Sequence, residues 1–592
     1  MRHLRFLSRG EYLRLLVIAF GILSGCYSLS VFAQVDAGAL QRGLQQQLPL
    51  PSPLALPEPT VPEGAKSNQA KEGEARFVVN SFVLEGVKTL PEEEIQGVLK
   101  PWIGKNSTFE DLQNACEAVQ DFYRKKGYTV QVILPPQKIA GGIVKILVTE
   151  AKLGKVVVET PNGPVRFSSE RAAQYITYAN PVGDPLSMPA LERAIIILNE
   201  IPGVMVASQL EAGESEGETD VRLQLTQPDF AQGRVELNNY GSRTTGANQG
   251  VFSLNLNNPS GIGDLISVNG ITSQGSQYIQ GGYSLPVSPD GLRLGVSGTY
   301  LNYKDVSSYA YNGGAGEAWT TGISAAYPLM RSQGANLNGT VNYDIKSYNN
   351  RNFITDTVIS AYNINNFSAG LSGNFADGLG YGAVTNGSVS LIFGHLDILA
   401  TSGANYGMYS IPNTTPTAYG VITPSNYAKL SYAANRIQQL EESGDTQLYT
   451  SLTGQFASQN LNTAEQFYLG GPYGVRAYPV AQSGGAQGGI FTLEIRHQIH
   501  ERFTLTGFFD AGVVEQYKNP YPGWQGLTNA NNTYSLMGAG FGIKWDYERW
   551  AIGALVAWKI GQNPLYSQTG QAVNTDSTTT QPRGWATASY TF

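Results

Sequence analysis

The segment GGPYGVRAYPV, residues 470–480, carries one cation, Arg476, among glycines and aromatic residues. A guanidinium is a planar fork of donors, and the chemistry that suits it best is bidentate binding of a carboxylate. The segment TLTGFFDAG, residues 504–512, offers such a carboxylate in Asp510. The residue types therefore indicate an ion pair between the two segments. The simpler alternative is a solvated loop arginine and a carboxylate that only hydrates the protein interior.

Motifs for catalysis and metal binding are weak. The chain has four histidines but neither an HExxH motif nor paired cysteines, so its residues do not support a zinc site. The segment IGKN, residues 103–106, resembles part of a phosphate-binding loop, but Leu99 stands where that loop requires its first glycine. We therefore predict no catalytic residues, no metal, no cofactor and no enzymatic activity.

Composition limits the class of protein. Charged residues make up 14% of the 592-residue chain, well below the ~25% of ordinary soluble proteins. The formal net charge is -7 at pH 7, whereas a nucleic-acid-binding protein usually has a basic footprint. The composition predicts more than one structural unit in an unusual solvent, and no nucleic-acid partner.

The N-terminus has the pattern of a secretory signal peptide. Arginines precede the apolar run 15–23, which is too short to span a bilayer of roughly 30 Å as a helix. We predict cleavage after Ala33, which makes residues 1–33 the signal peptide; a lipoprotein box ending at Cys26 is the alternative. Cleavage after Ala33 leaves Cys116 as the only cysteine, and its place in an apolar helical pattern predicts a buried, unreactive thiol.

Residues 34–75 form an N-terminal segment and a proline-rich linker. The run LPLPSPLALPEPTVPEG cannot sustain a helix or a central strand, because each proline lacks a donor and fixes φ. Before it, residues 36–48 have the pattern of a short helix that Gly38 and Gly43 weaken. The role of this helix is open from the sequence, including whether it plugs a pore.

Two similar modules follow, at residues 76–150 and 151–227, each with the order strand, helix, helix, strand, strand. Their size is typical of small repeated α+β domains. In the first module, Thr89 and Glu92 have the spacing of a capping box, which predicts where its first helix begins.

Residues 228–592 lack helical periodicity and alternate at period two. Scarce charge, long segments and aromatic strand ends predict a transmembrane antiparallel β-barrel of about 16 strands, with its apolar face toward lipid. In FTLEIRHQI the apolar side chains point outward, so Glu494 and Arg496 face the lumen. Asp510 shares the parity of Phe508 on its own strand and faces the lumen as well.

These features resemble the outer-membrane transporters of two-partner secretion, the haemolysin-activator and filamentous-haemagglutinin-transporter family of the Omp85 superfamily. The resemblance covers nearly all of the mature sequence. The two modules resemble the paired POTRA domains of that family, and LNNYGSRTTG and NNPSGIGD resemble its barrel opening. The most specific segments are FYLGGPYGVRAYP, which resembles the loop-six motif, and FFDAG, which resembles the inner-wall motif.

The resemblance implies roles for individual residues. It implies that Arg476 pairs with Asp510, and that this pair gates the lumen. The residues that it assigns are Val475, Arg476, Ala477, Tyr478 and Pro479 of the gating loop, Phe508, Asp510 and Gly512 of the inner wall, and Tyr590 and Phe592 of a C-terminal barrel signal. Ala477 departs from the family, which usually has glycine there, so a slightly different local backbone is expected.

The resemblance also implies the function. It implies a pore that captures an unfolded, β-helical exoprotein (TpsA type) through its periplasmic POTRA modules and translocates it to the cell surface without ATP. Outer-membrane lipid and, during biogenesis, the barrel assembly machinery are the other expected partners. An insertase for other barrels and, less favoured, a passive porin stay open as alternatives. The sequence does not distinguish an adhesin, a cytolysin and a growth-inhibition toxin as the exoprotein.

Overall fold

The computed structural model describes residues 36–47, 76–306, 313–401, 425–521, 531–565 and 582–592, with a few isolated residues between these ranges. The expected signal peptide and most of the proline-rich linker lie outside the described residues. A short helix, α1 (Ala37–Gln45), precedes two α+β modules and a barrel. Within the described ranges, we find no helix of the length and apolar character needed to cross a membrane.

The first module is built on a three-stranded mixed sheet. Its elements are the strands β1 (Phe77–Val78), β2 (Ser81–Glu85), β3 (Asn106–Ser107), β4 (Val130–Ile133) and β5 (Ile143–Glu150) and the helices α2 (Glu92–Leu99) and α3 (Phe109–Lys125). The sheet order is β2-β5-β4, with β2 parallel and β4 antiparallel to β5. Helix α3 begins at a capping box of Thr108 and Asp111, and buries its apolar stripe against the sheet.

Two local expectations for this module have different outcomes. The thiol of Cys116 is buried in the core, as predicted, and this burial raises its pKa to about 11. The capping box predicted at Thr89 and Glu92 is wrong. Pro91 is the N-cap of α2, and Thr89 Oγ1 donates instead to the buried carboxylate of Glu150 (2.6 Å).

The second module repeats the design of the first. Its elements are the strands β6 (Lys152–Glu159), β7 (Met205–Ala212) and β8 (Glu218–Thr226) and the helices α4 (Ser169–Ala179) and α5 (Met188–Asn199). The sheet order is β6-β8-β7, so the last strand is central again and β7 is an edge strand. Serine side chains, Ser168 and Ser187, cap the two helices.

A closed barrel of sixteen antiparallel strands forms the rest of the chain, which confirms the predicted fold class. In chain order the strands are β9 (Ala231–Asn238), β10 (Gln249–Asn257), β11 (Leu265–Ser273), β12 (Ser276–Pro286), β13 (Arg293–Lys304), β14 (Gly314–Arg331), β15 (Ala335–Asn352), β16 (Thr357–Asp377), β17 (Ala383–Thr401), β18 (Asn426–Gln439) and β19 (Thr446–Ala457), then the loop hairpin β20 (Phe467–Tyr468) and β21 (Gly484–Gly485), then β22 (Gln487–His500), β23 (Phe503–Glu515), β24 (Thr533–Tyr547), β25 (Trp550–Ile560) and β26 (Arg583–Thr591). The seam is antiparallel pairing of β26 with β9, from Thr587↔Asn238 to Thr591↔Arg234.

The outer face of the barrel is apolar over a limited height. On β16 the outward positions Phe367, Leu371 and Phe375 are exposed, whereas the outward positions nearer the loop end are Asn365 and Asn363. Exposed aromatic and aliphatic side chains at alternate positions are the pattern of a lipid-facing strand. Because β14–β17 have 18 to 21 residues and a membrane crossing needs about 9–11, these four strands continue past the apolar band on the loop side.

The second module docks on the barrel through α5. Arg193 Nη2 donates to Pro328 O (2.6 Å) at the end of β14, and Gln333 N donates to Glu192 Oε1 (2.8 Å). Arg331, whose side chain is buried, pairs with Glu200 just after the helix. These contacts fix the module against the barrel turns beside β13–β15.

Candidate functional site

Loop six, residues 458–486 between β19 and β22, folds back into the lumen. Its tip is a tight turn in which Val475 N donates to Leu469 O (2.7 Å), and Gly471 has a φ of 114°, which favours glycine. Leu469, Val475 and Tyr478 are fully buried against lumen-facing side chains of β22–β25. Pro479 follows them and is buried as well. The tip is therefore a packed part of the barrel interior.

Arg476 is held by two carboxylates and an aromatic ring. Its Nε and Nη2 donate to the two oxygens of Asp510 (2.8 and 2.7 Å), and its backbone N donates to Asp510 Oδ2 (3.1 Å). Its Nη1 donates to Glu494 Oε1 (2.6 Å), and its guanidinium carbon lies 3.6 Å from the ring centroid of Phe508. Asp510 is fully buried and Arg476 is 8% exposed, so the pair is shielded from water.

A second arginine, Arg496, extends this cluster toward the end of the lumen that faces the modules. Arg496 Nη2 donates to Glu494 Oε2 (2.6 Å), and the guanidinium of Arg496 lies 4.2 Å from the ring centroid of Tyr449. Below them is a cavity of about 440 Å³ that Arg476 and Phe508 line at its upper end. Two cations and two carboxylates thus form a balanced chain. Within the described residues, no three side chains of the metal-ligating types cluster closely enough to hold a metal ion.

Small residues allow the loop to lie this close to the wall. A Cβ at Gly512 would meet the side chains of Leu469 and Val475 at 3.0 and 3.1 Å. A Cβ at Gly538, on β24, would meet the Cβ of Ala477 at 2.6 Å. Ala477 is therefore accommodated in this chain because the wall opposite it carries a glycine.

The final strand also contacts the loop. Trp585 Nε1, on β26, donates to the carbonyl oxygen of Arg476 (2.8 Å), and both residues are buried. The ring of Tyr240, which follows β9, packs edge-on against Trp585 and against Tyr473 of the loop, with centroids 5.8 Å apart in each pair. The docked tip thus contacts residues on both sides of the seam.

Helix α1 occupies the other half of the lumen, and Asp36 anchors its N-terminus. The carboxylate of Asp36 accepts the helix N–H groups of Gly38 (2.8 Å) and Ala39 (3.3 Å), which is N-capping. It also accepts donors from the barrel and loop six, namely Asn350 Nδ2 (2.8 Å), Tyr362 Oη (3.0 Å) and Thr463 Oγ1 (2.7 Å). The short helix left open by the sequence is therefore formed, and it plugs the lumen.

A second anchor is Glu465 at the base of loop six. This carboxylate is 1% exposed and contacts Lys346 Nζ of β15 (2.8 Å) and Lys429 Nζ of β18 (2.5 Å). Arg42 Nη1 of α1 lies 3.7 Å from Glu465 Oε2, the oxygen that Lys429 also contacts. One buried acid thus links loop six, two strands of the wall and the helix.

Comparison with known proteins identifies the family. The model of the haemolysin secretion/activation proteins ShlB/FhaC/HecB matches residues 217–545, and the model of the ShlB-type POTRA domain matches residues 77–151. The chain belongs to the haemolysin secretion/activation family. The sequence-based recognition is confirmed, and the chain is an outer-membrane transporter of two-partner secretion whose POTRA domains lie in the periplasm.

Relatives of this transporter match over most of their length. The heme/hemopexin transporter protein HuxB of Haemophilus influenzae is 26% identical over 558 residues, covering 90% of this chain and 93% of that protein. The outer membrane transporter CdiB of Escherichia coli is 24% identical over 455 residues, covering 74% of this chain and 71% of that protein. The solved structure of CdiB from Escherichia coli shares the fold, with a TM-score of 0.69 and 19% identity, and the match covers all of both chains. The solved structure of CdiB from Acinetobacter baumannii has a TM-score of 0.64 and 17% identity, and the match covers 99% of this chain and 100% of that one.

Two residues with contacts in the transporter's lumen, Glu465 and Trp585, were not predicted from the sequence. Glu465 stands two residues before the loop-six motif, and nothing in its neighbourhood along the chain shows that two lysines from distant strands meet it. Trp585 had a usable signal, because it has the opposite parity to Tyr590 and Phe592 and therefore faces the lumen.

The two residues of the expected C-terminal signal lie at the seam on its outer side. The ring of Tyr590 lies 4.9 Å from that of Trp550 on β25. Phe592 N donates to Gly233 O (2.8 Å), Gly233 N donates to Phe592 O (2.9 Å), and the Phe592 ring covers Gly233. Phe592 is 47% exposed, which places an apolar ring at the lipid-facing edge of the barrel.

Proposed function

We propose that this transporter captures an unfolded, β-helical exoprotein (TpsA type) through its POTRA modules and passes it through the barrel to the cell surface without ATP. The proposed boundaries are residues 1–33 for the signal peptide, 34–75 for the N-terminal segment and linker, 76–150 and 151–227 for the modules, and 228–592 for the barrel. Outer-membrane lipid surrounds the barrel, and the barrel assembly machinery inserts it.

Outer strands of the sheets in both modules support capture. Strand β7 is the outer strand of the second sheet, and most of its side chains are exposed, including Met205 and Leu210. Strand β2 is likewise an outer strand of the first sheet and exposes Val83. An unpaired edge offers backbone donors and acceptors to an extended peptide, and its exposed apolar side chains offer contacts for alternate residues.

The observation that carries the proposal is that α1, a separate helix, occupies half of the lumen. A barrel closed by its own wall side chains has no removable part, whereas α1 is a short separate helix that precedes the modules in the chain. Loop six is the second filling element, and the Arg476–Asp510–Glu494 contacts hold it. We assign gating of the pore to these two elements, and the C-terminal signal to Tyr590 and Phe592.

Deletion of residues 76–227 tests capture. We expect the shortened chain to insert as a folded barrel and to secrete no exoprotein, because the barrel closes its own backbone hydrogen bonds without the modules. Folded barrel is measured by heat-modifiable gel mobility, and secretion by exoprotein in the medium. Undiminished secretion would contradict the capture model. An immature barrel protein co-purifying with the full chain, in place of an exoprotein, would support the insertase alternative.

A further inference from the structure

The outer face of β13–β15 carries two cations above its apolar band. Lys304 and Arg351 are exposed on this face, whereas their neighbours Tyr303 and Asn350 point into the lumen and are buried. Ala315 of β14 is the strand partner of both cations. Lys304 and Arg351, which we call the rim cations, therefore stand in one row across three strands, about 10 Å apart.

The rim cations lie at the depth of the lipid headgroups. Tyr300 of β13 and Trp319 of β14 pair with each other and are the last exposed aromatic side chains of these two strands toward the extracellular side. Such aromatic residues mark the boundary of the hydrocarbon in a transmembrane barrel. The row of rim cations is four residues further on, which at roughly 3.3 Å each and a 45° tilt is about 9 Å above that boundary. Their long, flexible side chains can reach back into the headgroup layer.

Neither rim cation has a carboxylate partner in the part of the chain that the structure describes. Lys304 Nζ instead lies 4.2 Å from the ring centroid of Phe353. An outward cation at the periplasmic edge is held differently, because Arg436 of β18 donates to both oxygens of Asp377 (2.7 and 3.0 Å). The protein thus neutralises an outward cation at one edge of the membrane and leaves the rim cations at the other edge without a counter-charge.

The surroundings of the rim cations favour a phosphate. Glu317, on the outer face of β14, is one outward position nearer the membrane and accepts a hydrogen bond from Tyr300 Oη (3.4 Å). Two cations and one carboxylate leave a net positive charge, on the extracellular side of Glu317. Asn302 and Asn349, the strand partners of Glu317, add amide groups that can donate hydrogen bonds. A phosphate accepts hydrogen bonds from several such donors at once.

We propose that the rim cations bind the phosphate groups of an acylated glycolipid in the outer leaflet. The acyl chains would lie on the apolar band beneath, beside Tyr300 and Trp319. Two cations about 10 Å apart can hold one phosphate, or two phosphates of the same headgroup. Because β14 and β15 belong to the tall part of the wall, the bound lipid fixes the depth of the barrel on that side. This inference requires only the outer-membrane location of the transporter.

Lipid binding by the purified full-length transporter tests the proposal. The probe is lipid A, a diphosphorylated and acylated glucosamine disaccharide, titrated in uncharged detergent without divalent cations and followed by native mass spectrometry. We expect the double variant Lys304→Gln/Arg351→Gln to bind at least about tenfold more weakly, since each cation near an anionic lipid surface contributes about a factor of five. Arg243→Gln/Lys518→Gln removes two exposed cations of extracellular loops and is the matched control, which should bind as the unsubstituted chain does.

Two further ligands distinguish the source of the phosphate. Lipid A without its phosphates should bind at least about tenfold more weakly than the probe, and this difference should disappear in the double variant. Inorganic phosphate, which has no acyl chains, should displace the probe only at a large excess. Equal binding of the two lipids, equal binding by the double variant and the unsubstituted chain, or displacement by equimolar inorganic phosphate would overturn the proposal.

A second measurement uses the stability of the barrel. Lipid A should raise the temperature at which heat-modifiable mobility is lost, because a ligand of the folded state stabilises it, and the double variant should lose this shift. Glu317→Gln removes the nearby negative charge and should tighten lipid A binding about threefold to fivefold. Weaker binding by Glu317→Gln, or an equal temperature shift in the double variant, would contradict the assignment. Heat-modifiable mobility before heating confirms that each variant is folded.

Discussion

Arg476 is surrounded more completely than its sequence indicates. The sequence predicts one carboxylate partner in a partly wet lumen, a contact worth on the order of 1 to 3 kcal/mol. The structure gives the guanidinium two carboxylates and an aromatic face, all shielded from water. Without Arg476, Asp510 would keep the Thr492 hydroxyl (3.1 Å) as a side-chain partner. Breaking such a buried pair costs about 3–5 kcal/mol, enough to release a loop tip.

Arg476→Ala should therefore lower secretion strongly while the folded barrel persists, because the backbone hydrogen bonds of the strands do not involve this side chain. Asp510→Ala should behave similarly, and the double substitution should be no worse than either alone, because the residues interact directly. Lysine at 476 should restore secretion only in part, since it lacks the planar fork. Secretion and heat-modifiable mobility are measured for each variant.

Lys544→Ala is the matched control for that series. Lys544 is an exposed lumen-facing cation that pairs with Asp546 on its own strand and does not contact loop six. The Lys544→Ala substitution should leave secretion unchanged. Additive losses for Arg476→Ala and Asp510→Ala would show that the two residues act separately, and Glu494 would then be the partner to test.

Glu150 in the first module gives a prediction for pH. Burial alone would raise its pKa, but hydrogen bonds from Lys88 N (3.0 Å), Thr89 N (2.9 Å) and Oγ1 (2.6 Å), and Tyr123 Oη (2.9 Å) together lower it. A lowered folded-state pKa means that the ionised carboxylate stabilises the fold. That contribution is complete above the unfolded-state pKa of about 4.3, and it is lost as pH falls through the folded value.

Glu150→Gln should therefore destabilise the first module at pH 7, and the difference from the unsubstituted chain should shrink as pH falls below about 4. Urea unfolding followed by Trp102 fluorescence measures it, because Trp102 is the one tryptophan of the sequence outside the barrel region. Glu94→Gln, an exposed carboxylate in the same module, is the control. A difference that stays constant between pH 7 and pH 3 would contradict the assignment.

At the level of elements, closure of the barrel depends on the short pairing of β26 with β9. Deleting Phe592 removes the two backbone hydrogen bonds to Gly233 and the ring that covers it. We expect the folded fraction of barrel to fall, measured by heat-modifiable mobility, because the closing pair of strands has few bonds to lose. Phe592→Tyr keeps the backbone and an aromatic ring, and should insert normally. An unchanged folded fraction after the deletion would show that the terminal residue is not part of the insertion signal.

Sequence patterns predicted the elements better than they predicted the contacts between them. Period-two alternation predicted one face of the strands for Glu494, Arg496 and Asp510, and the structure brings all three side chains into the cluster around Arg476, because side-chain parity is a local property of a strand. The capping box at Thr89 failed because a distant carboxylate, Glu150, competes for its hydroxyl. The cluster around Glu465 could not be predicted, since its partners come from strands far apart in the chain.

At the level of the whole molecule, the second module is held in one orientation by Arg331 and Glu200. Glu200→Ala should leave the barrel inserted but free the module to move, and secretion should fall because captured chain is no longer presented to the mouth of the barrel. Protease accessibility of the turn between β14 and β15 should rise. Glu170→Ala, on an exposed part of α4, is the control. Unchanged secretion with raised protease accessibility would show that the docking orientation is not required.

The unequal height of the barrel wall predicts where the chain is released. Strands β14–β17 have 18 to 21 residues, and their upper outward positions are polar, as at Asn363 and Asn365. The excess over a membrane crossing of about ten residues is about eight to eleven residues, which at roughly 3.3 Å each and a 45° tilt projects about 20 Å above the lipid. The extracellular rim of the pore is therefore taller along β14–β17 than along the other strands. We expect an emerging chain to be shielded on that side and free on the other, and therefore to begin folding away from the membrane surface and off the axis of the pore.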